Sequence, residues 1–130
     1  MIEFRLEGRS GIAPYLQIVQ QVKHALRLGM LRSGDQLPTV KEVVGSIAIN
    51  PNTVLKAYRE LEHEGLVEGR PGQGTFVVGS IPGPPPGSYT RLRRGLLRWL
   101  REARTAGLDE ESIIALVNTT LRDESEREVA

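Results

Sequence analysis

Apolar residues recur at helical spacing early in the chain. Pro14 suits the first turn of a helix, and Tyr15, Ile18, Val22, Ala25 and Leu26 follow on one face, which predicts helix one. "GMLRSGDQLP" breaks the pattern, with Gly29, Gly34 and Pro38 as interruptions and Asp35 suited to a turn. Thr39 and Glu42 then stand at capping-box spacing. Val43, Val44 and Ile47 supply the apolar side of a short helix two, which Gly45 weakens. Helix three takes Asn50 as N-cap and Pro51 as first residue, and it ends at Gly65. After it, "LVEGRPGQGTFVV" predicts two strands, Leu66 to Glu68 and Thr75 to Val78, around a glycine-rich turn at 69–74. Three helices followed by a hairpin make a winged helix-turn-helix: mainly α with a small β-hairpin.

The pattern lapses in "GSIPGPPPGS", residues 79–88, which hold four of the eight prolines and so cannot build a core. Proline lacks the amide donor and favours extended geometry, which predicts a semi-rigid linker between a domain at 1–78 and a tail at 89–130. Helical periodicity returns in the tail. Leu92, Leu96, Trp99, Leu100 and Ala103 form one stripe and Ile113, Leu116, Val117 and Leu121 a second, separated by Gly107 and Asp109. Two amphipathic helices of about four turns cannot bury both apolar faces unaided, so these residues are expected to pair with a second copy as a homodimer.

Composition narrows the picture. A length of 130 residues with 39% apolar content allows one small core and an appendage. The absence of cysteine excludes disulfides and thiolate metal sites, so a cytoplasmic protein is expected. Glu3, Arg5, Glu7 and Arg9 at the start do not make a signal peptide, and no apolar run approaches membrane-spanning length. His24 and His63 lie on different elements without companion ligands, so no metal is expected. There is no phosphate-binding G-x-x-x-x-G-K-[ST] and no set of nucleophile, base and orienting group, so neither an enzyme nor a cofactor is expected.

The net charge of +1 decides nothing about partners, because the placement of charge matters as much. In the tail, six arginines and one glutamate lie between Arg91 and Arg104, against seven acids and two arginines at 105–130. Opposite charges suit an antiparallel helix pair, although solvated pairs stabilise little. An arginine-rich helix also serves as a nucleic-acid arm or lies on a membrane surface, but a leucine and tryptophan stripe is more often dimer core. Trp99 either lines a small effector cavity or simply packs.

Helix three carries the clearest chemistry. At about 100° per residue Val54, Ala57, Tyr58 and Leu61 fall on one side, the core face, and Asn52, Lys56, Arg59 and His63 on the other. That outward face offers amide and cationic donors and no carboxylate. In a helix-turn-helix this is the part that enters the major groove, where asparagine pairs with adenine and cations reach guanine or phosphate. Asn50 and Thr53 complete a polar first turn whose free amides suit phosphate, although Asn-Pro-Asn-Thr is also simply a good helix start. Gly72 and Gly74 let the hairpin turn approach a phosphate or the minor groove, with Arg70 and Gln73 as contacts, although such turns are usually only turns.

The whole string "GDQLPTVKEVVGSIAINPNTVLKAYRELEHEGLVEGRPGQGTFVV" shifts the balance. Leu37-Pro38-Thr39, Asn52-Thr53-Val54, Leu61-Glu62 with Glu64-Gly65-Leu66, and Gly72 with Gly74-Thr75-Phe76-Val77 carry the likeness. Through them, residues 10–78 resemble the DNA-binding domain of the GntR family of bacterial transcription regulators. Ile49 to Val54 and the short tail look like its YtrA subfamily.

The resemblance implies a sequence-specific regulator, a repressor that binds a double-stranded, pseudo-palindromic DNA operator as a homodimer through its two-helix dimerisation tail. It further implies control of its own operon, often one encoding an ABC transporter. Any small-molecule effector must be small or bind at the dimer interface. Thr39 and Lys41, at the start of helix two, join the expected DNA contacts. Two departures bear on them. Lys41 stands where the family often has arginine, which loses the planar fork that reads guanine, and Pro51 replaces an arginine before the Asn-Thr pair. A competing reading is a winged-helix module that docks on a protein without touching DNA. Its mark would be an exposed apolar patch on helix three, where Leu55 is the single candidate.

Overall fold

The computed structural model describes residues 2–83, 85 and 87–129. Its elements are α1 (Pro14–Arg27), α2 (Val40–Ser46), α3 (Pro51–His63), β1 (Val67–Arg70), β2 (Gly74–Val77), α4 (Ser88–Thr105) and α5 (Glu110–Val129). Three helices and a hairpin form a winged helix-turn-helix, followed by two C-terminal helices. The chain divides into two compact units, Met1–Pro84 and Pro85–Ala130. Pro84 and Pro86 of the expected linker, and the terminal residues of the two expected domains, lie outside the described residues.

The first unit is organised around α3, which packs chiefly on α1 and also on α2 and β1. Ile18, Val22, Leu37, Val43, Val54, Leu61, Val67 and Val77 are its largest fully buried side chains, each contributing about 1.5–3 kcal/mol by leaving water. Tyr58 is buried among them and finds a partner for its one polar atom, because its hydroxyl donates to the Pro38 carbonyl at 2.6 Å. Burial pushes that phenol well above its ordinary pKa, with the nearby Glu42 charge acting in the same direction.

The termini of α2 and α3 follow the sequence. Thr39 Oγ1 accepts from the Glu42 amide while the Glu42 carboxylate accepts from the Thr39 amide, a reciprocal capping box. Asn50 Oδ1 accepts from the Asn52 amide at 2.8 Å. Helix two buries less than its spacing predicted. Val43 is buried and Ile47, at the C-cap with extended backbone, is half-buried against the core, but Val44 is exposed.

The first strand also differs. It starts one residue later than predicted and runs to Arg70, pairing Val67 with Val77 and Arg70 with Gly74, so the turn shortens to residues 71–73. A third segment lies along β2: the amides of Gly34 and Leu37 donate to the carbonyls of Val77 and Thr75, and the Val77 amide donates to the Asp35 carbonyl.

The described residues ahead of α1 form no strand, yet side chains of α1 bind part of their backbone. Gln21 both accepts from the Arg5 amide and donates to its carbonyl, and Gln17 does the same for Glu7. These two glutamines, one turn apart, act as rungs that hold the segment on α1 and seat Phe4 in the core, its ring 6.5 Å from that of Tyr58.

In the second unit, Asp109 Oδ1 accepts from the Ser112 amide at the start of α5. Ser112, through its side chain first and then its amide, holds that carboxyl below the usual carboxylate range. Ala103 and Ile113 are buried, but α4 and α5 make no extensive contact with each other. Among the described residues no ion pair joins the two helices, so their opposite charges face solvent in a single chain. No described helix is long and apolar enough to cross a membrane.

Candidate nucleic-acid interface

Helix α3 sorts its residues as an amphipathic helix must. Val54, Ala57, Tyr58 and Leu61 are buried, whereas Asn52, Lys56, Arg59 and His63 are exposed. Asn52 lies in the first turn with its side chain in solvent. Lys56 is more constrained than its spacing suggested: its ammonium lies 4.0 Å over the Tyr15 ring, so a cation–π contact holds its charge near the start of α1. Arg59 faces the groove between α3 and the hairpin.

The other expected contacts divide by what already occupies them. Lys41, on α2, is exposed and forms no ion pair among those described. The oxygens of Thr39 and Asn50 are committed to their helix caps, which leaves the hydroxyl proton of Thr39 and the amide protons of Asn50 to meet a partner. Thr53 is half-buried in the first turn of α3.

The wing is stiffer than a glycine-rich turn implies. Gly72 and Gly74 have φ of +73° and +128°, and a Cβ on Gly74 would stand 2.5 Å from Gln36 Nε2. That nitrogen donates to the Gln73 carbonyl at 3.2 Å, tying the turn to the segment beside β2. From the other side, Glu62 on α3 accepts from the Gly69 amide at 3.1 Å. Arg70 lies 4.5 Å over the Phe76 ring and pairs loosely with Glu68 at 3.4 Å, so its guanidinium stands on the exposed face of the hairpin.

Gln36 and Glu62 were not among the expected DNA contacts, although they tie the wing to the segment beside β2 and to α3. Glu62 was within reach of the same helical count, about 20° from Leu55 and on the side of α3 toward the hairpin. Gln36 carried no signal, because a glutamine in a turn reads as solvated.

In the tail, the structure places the nine expected pairing residues in three environments. Ala103 and Ile113 are buried, Trp99 and Leu100 are half-buried, and Leu92, Leu96, Leu116, Val117 and Leu121 are exposed. Ile114, which was not singled out, is exposed with them.

Comparison with known proteins accords with this geometry. The model of the gntR family of bacterial regulatory proteins matches residues 14–77. The chain is 36% identical over 110 residues to the HTH-type transcriptional repressor YtrA of Bacillus subtilis, covering 84% of this chain and 85% of that protein. Among solved structures it is similar to YtrA from Sulfolobus acidocaldarius, a GntR-family transcription factor, with 26% identity and a TM-score of 0.54 over 75% of this chain and 97% of that one. It is also similar to a transcriptional antiterminator from Listeria monocytogenes EGD-e, with 29% identity and a TM-score of 0.59 over 94% and 92% of the two chains.

Proposed function

The chain belongs to the GntR family of bacterial regulatory proteins and is a DNA-binding transcriptional regulator, not an enzyme, and on that premise we propose that it is a repressor that binds a pseudo-palindromic operator as a homodimer. The observation that carries this reading is the outward strip of α3, Asn52, Lys56, Arg59 and His63, free of carboxylates and flanked by a braced wing. Such a strip enters the major groove with its N-terminal residues on base edges while the wing meets the backbone.

The tail supplies the second copy. Leu92, Leu96, Leu116, Val117 and Leu121 are left in water by a single chain, and an α4–α5 unit from a partner would cover them. A small-molecule effector, if the protein answers to one, binds at that interface. Occupying a promoter needs no further part, which favours repression. The likeness to the Bacillus repressor points the same way. Control of its own operon, one encoding an ABC transporter, completes the proposal and places the protein on the cytoplasmic nucleoid. Footprinting on its own promoter tests that role.

Base reading is tested on Asn52. Asn52→Ala is expected to lose about 1–3 kcal/mol on the operator and to relax preference at one position per half-site. Gel-shift titration against systematically mutated operators measures both, and indifference to every base change would displace α3 from the groove. Lys41 tests the backbone. Its compact charge on a flexible stem suits a phosphate, so Lys41→Ala should weaken binding to all sequences and flatten the log–log salt dependence by about one unit, with base preference intact. An unchanged salt slope with altered preference would instead put Lys41 on a base.

A further inference from the structure

One apolar side chain interrupts the polar side of α3. Leu55 is 37% exposed, although the core beneath it is already filled by Val54, Ala57, Tyr58 and Leu61. At about 100° per residue it stands about 60° round the helix from Asn52 and about 40° from Arg59. With Thr39, Val40, Arg59, Gly74 and Thr75 it lines a groove of about 330 Å³ between α3 and the wing. A single exposed leucine is ordinary on a protein surface. This one sits where the helix and the wing would both meet DNA.

The chemistry of the occupant follows from what a major groove can offer there. Base edges present donors and acceptors, and the one apolar group among them is the 5-methyl of thymine. We propose that Leu55 is a specificity determinant that receives the 5-methyl of one thymine in each half-site, beside the base contacted by Asn52. This rests on the reading of α3 as the major-groove helix. Docking of a protein partner is the poorer fit, because Asn52 and Arg59 on one side and Glu62 on the other flank the leucine and leave no contiguous apolar patch of the size such partners need.

The test uses the full chain and a duplex site recovered by in vitro selection from randomised DNA. Each thymine is replaced singly by deoxyuridine, which removes the methyl and leaves the pairing atoms and groove acceptors in place. One thymine per half-site is expected at which the replacement weakens wild-type binding roughly fourfold, the effect of burying one methyl-sized group. Leu55→Ala should bind the thymine and deoxyuridine forms of that site alike. Because the replacement alters only the DNA, the result with wild-type protein stands whether or not the variant folds. Wild-type binding that ignores deoxyuridine at every position overturns the proposal, as does a Leu55→Ala variant as sensitive as wild type. Selection that recovers no sequence at all overturns the reading of α3 itself and this proposal with it.

Discussion

Ending the chain after Ser80 is expected to leave a folded monomer that binds operator DNA weakly and almost without sequence preference. Folding should survive because the buried core runs from Phe4 to Val77 and lies wholly within the first unit. The cut removes only one residue packed on that core, the half-buried Ile81. Binding should not survive unchanged. One recognition helix covers a few base pairs, and a two-fold dimer gains its specificity by setting two such helices about 34 Å apart, or a multiple of that, on a pseudo-palindrome. Linking two half-site contacts raises affinity by about 10²- to 10⁴-fold over either alone, and that factor is what the truncation forfeits. Light scattering and operator titration measure the two halves of the expectation. A truncated chain that stays dimeric and binds as tightly as the whole would move the interface into residues 1–78 and leave the exposed leucines of α4 and α5 without a role.

What the sequence disclosed and what it hid follow from the range of the interactions involved. The inward face of α3 was legible residue by residue, since Val54, Ala57, Tyr58 and Leu61 are placed by helical periodicity alone and all four are buried. The caps at Thr39 and Asn50 were legible because their partners lie within three residues. The strand ends were not. β1 runs on to Arg70 because its hairpin partner and the Glu62 carboxylate take up its backbone, and neither leaves a mark on "VEGR". Nothing in the sequence marks Gln21 and Gln17, yet they bind the backbone of Arg5 and Glu7, sixteen and ten positions away along the chain. Lys56 was placed on the correct face, but its stacking on Tyr15 depends on how α1 crosses α3. In the tail the apolar stripes were visible, but helical spacing alone does not tell the buried Ala103 and Ile113 from the exposed Leu92, Leu96, Leu116, Val117 and Leu121.

The two faces of α3 should separate stability from recognition, and Leu61→Ala is expected to show it with the largest change in folding energy of any substitution considered. Leu61 is fully buried on the helix that α1, α2 and β1 all pack against. Truncating such a leucine typically costs about 2–5 kcal/mol, the lost transfer energy plus the cavity left behind. Against a total of about 5–15 kcal/mol for a small domain this is a large share. Urea unfolding should show a lower midpoint with the slope preserved, since a core cavity changes stability without changing the surface exposed on unfolding. The folded fraction, however, still presents Asn52, Lys56 and Arg59 from the same helix, so its order of preference among operator variants should match wild type. Asn52→Ala should do the reverse, keeping the folding free energy within about 0.5 kcal/mol of wild type while altering base preference. A Leu61→Ala protein that unfolds at the wild-type midpoint would mean that α3 does not pack by this face. One that reorders the operator variants would mean that packing beneath the helix sets the position of Asn52, and the two faces could not then be treated as independent.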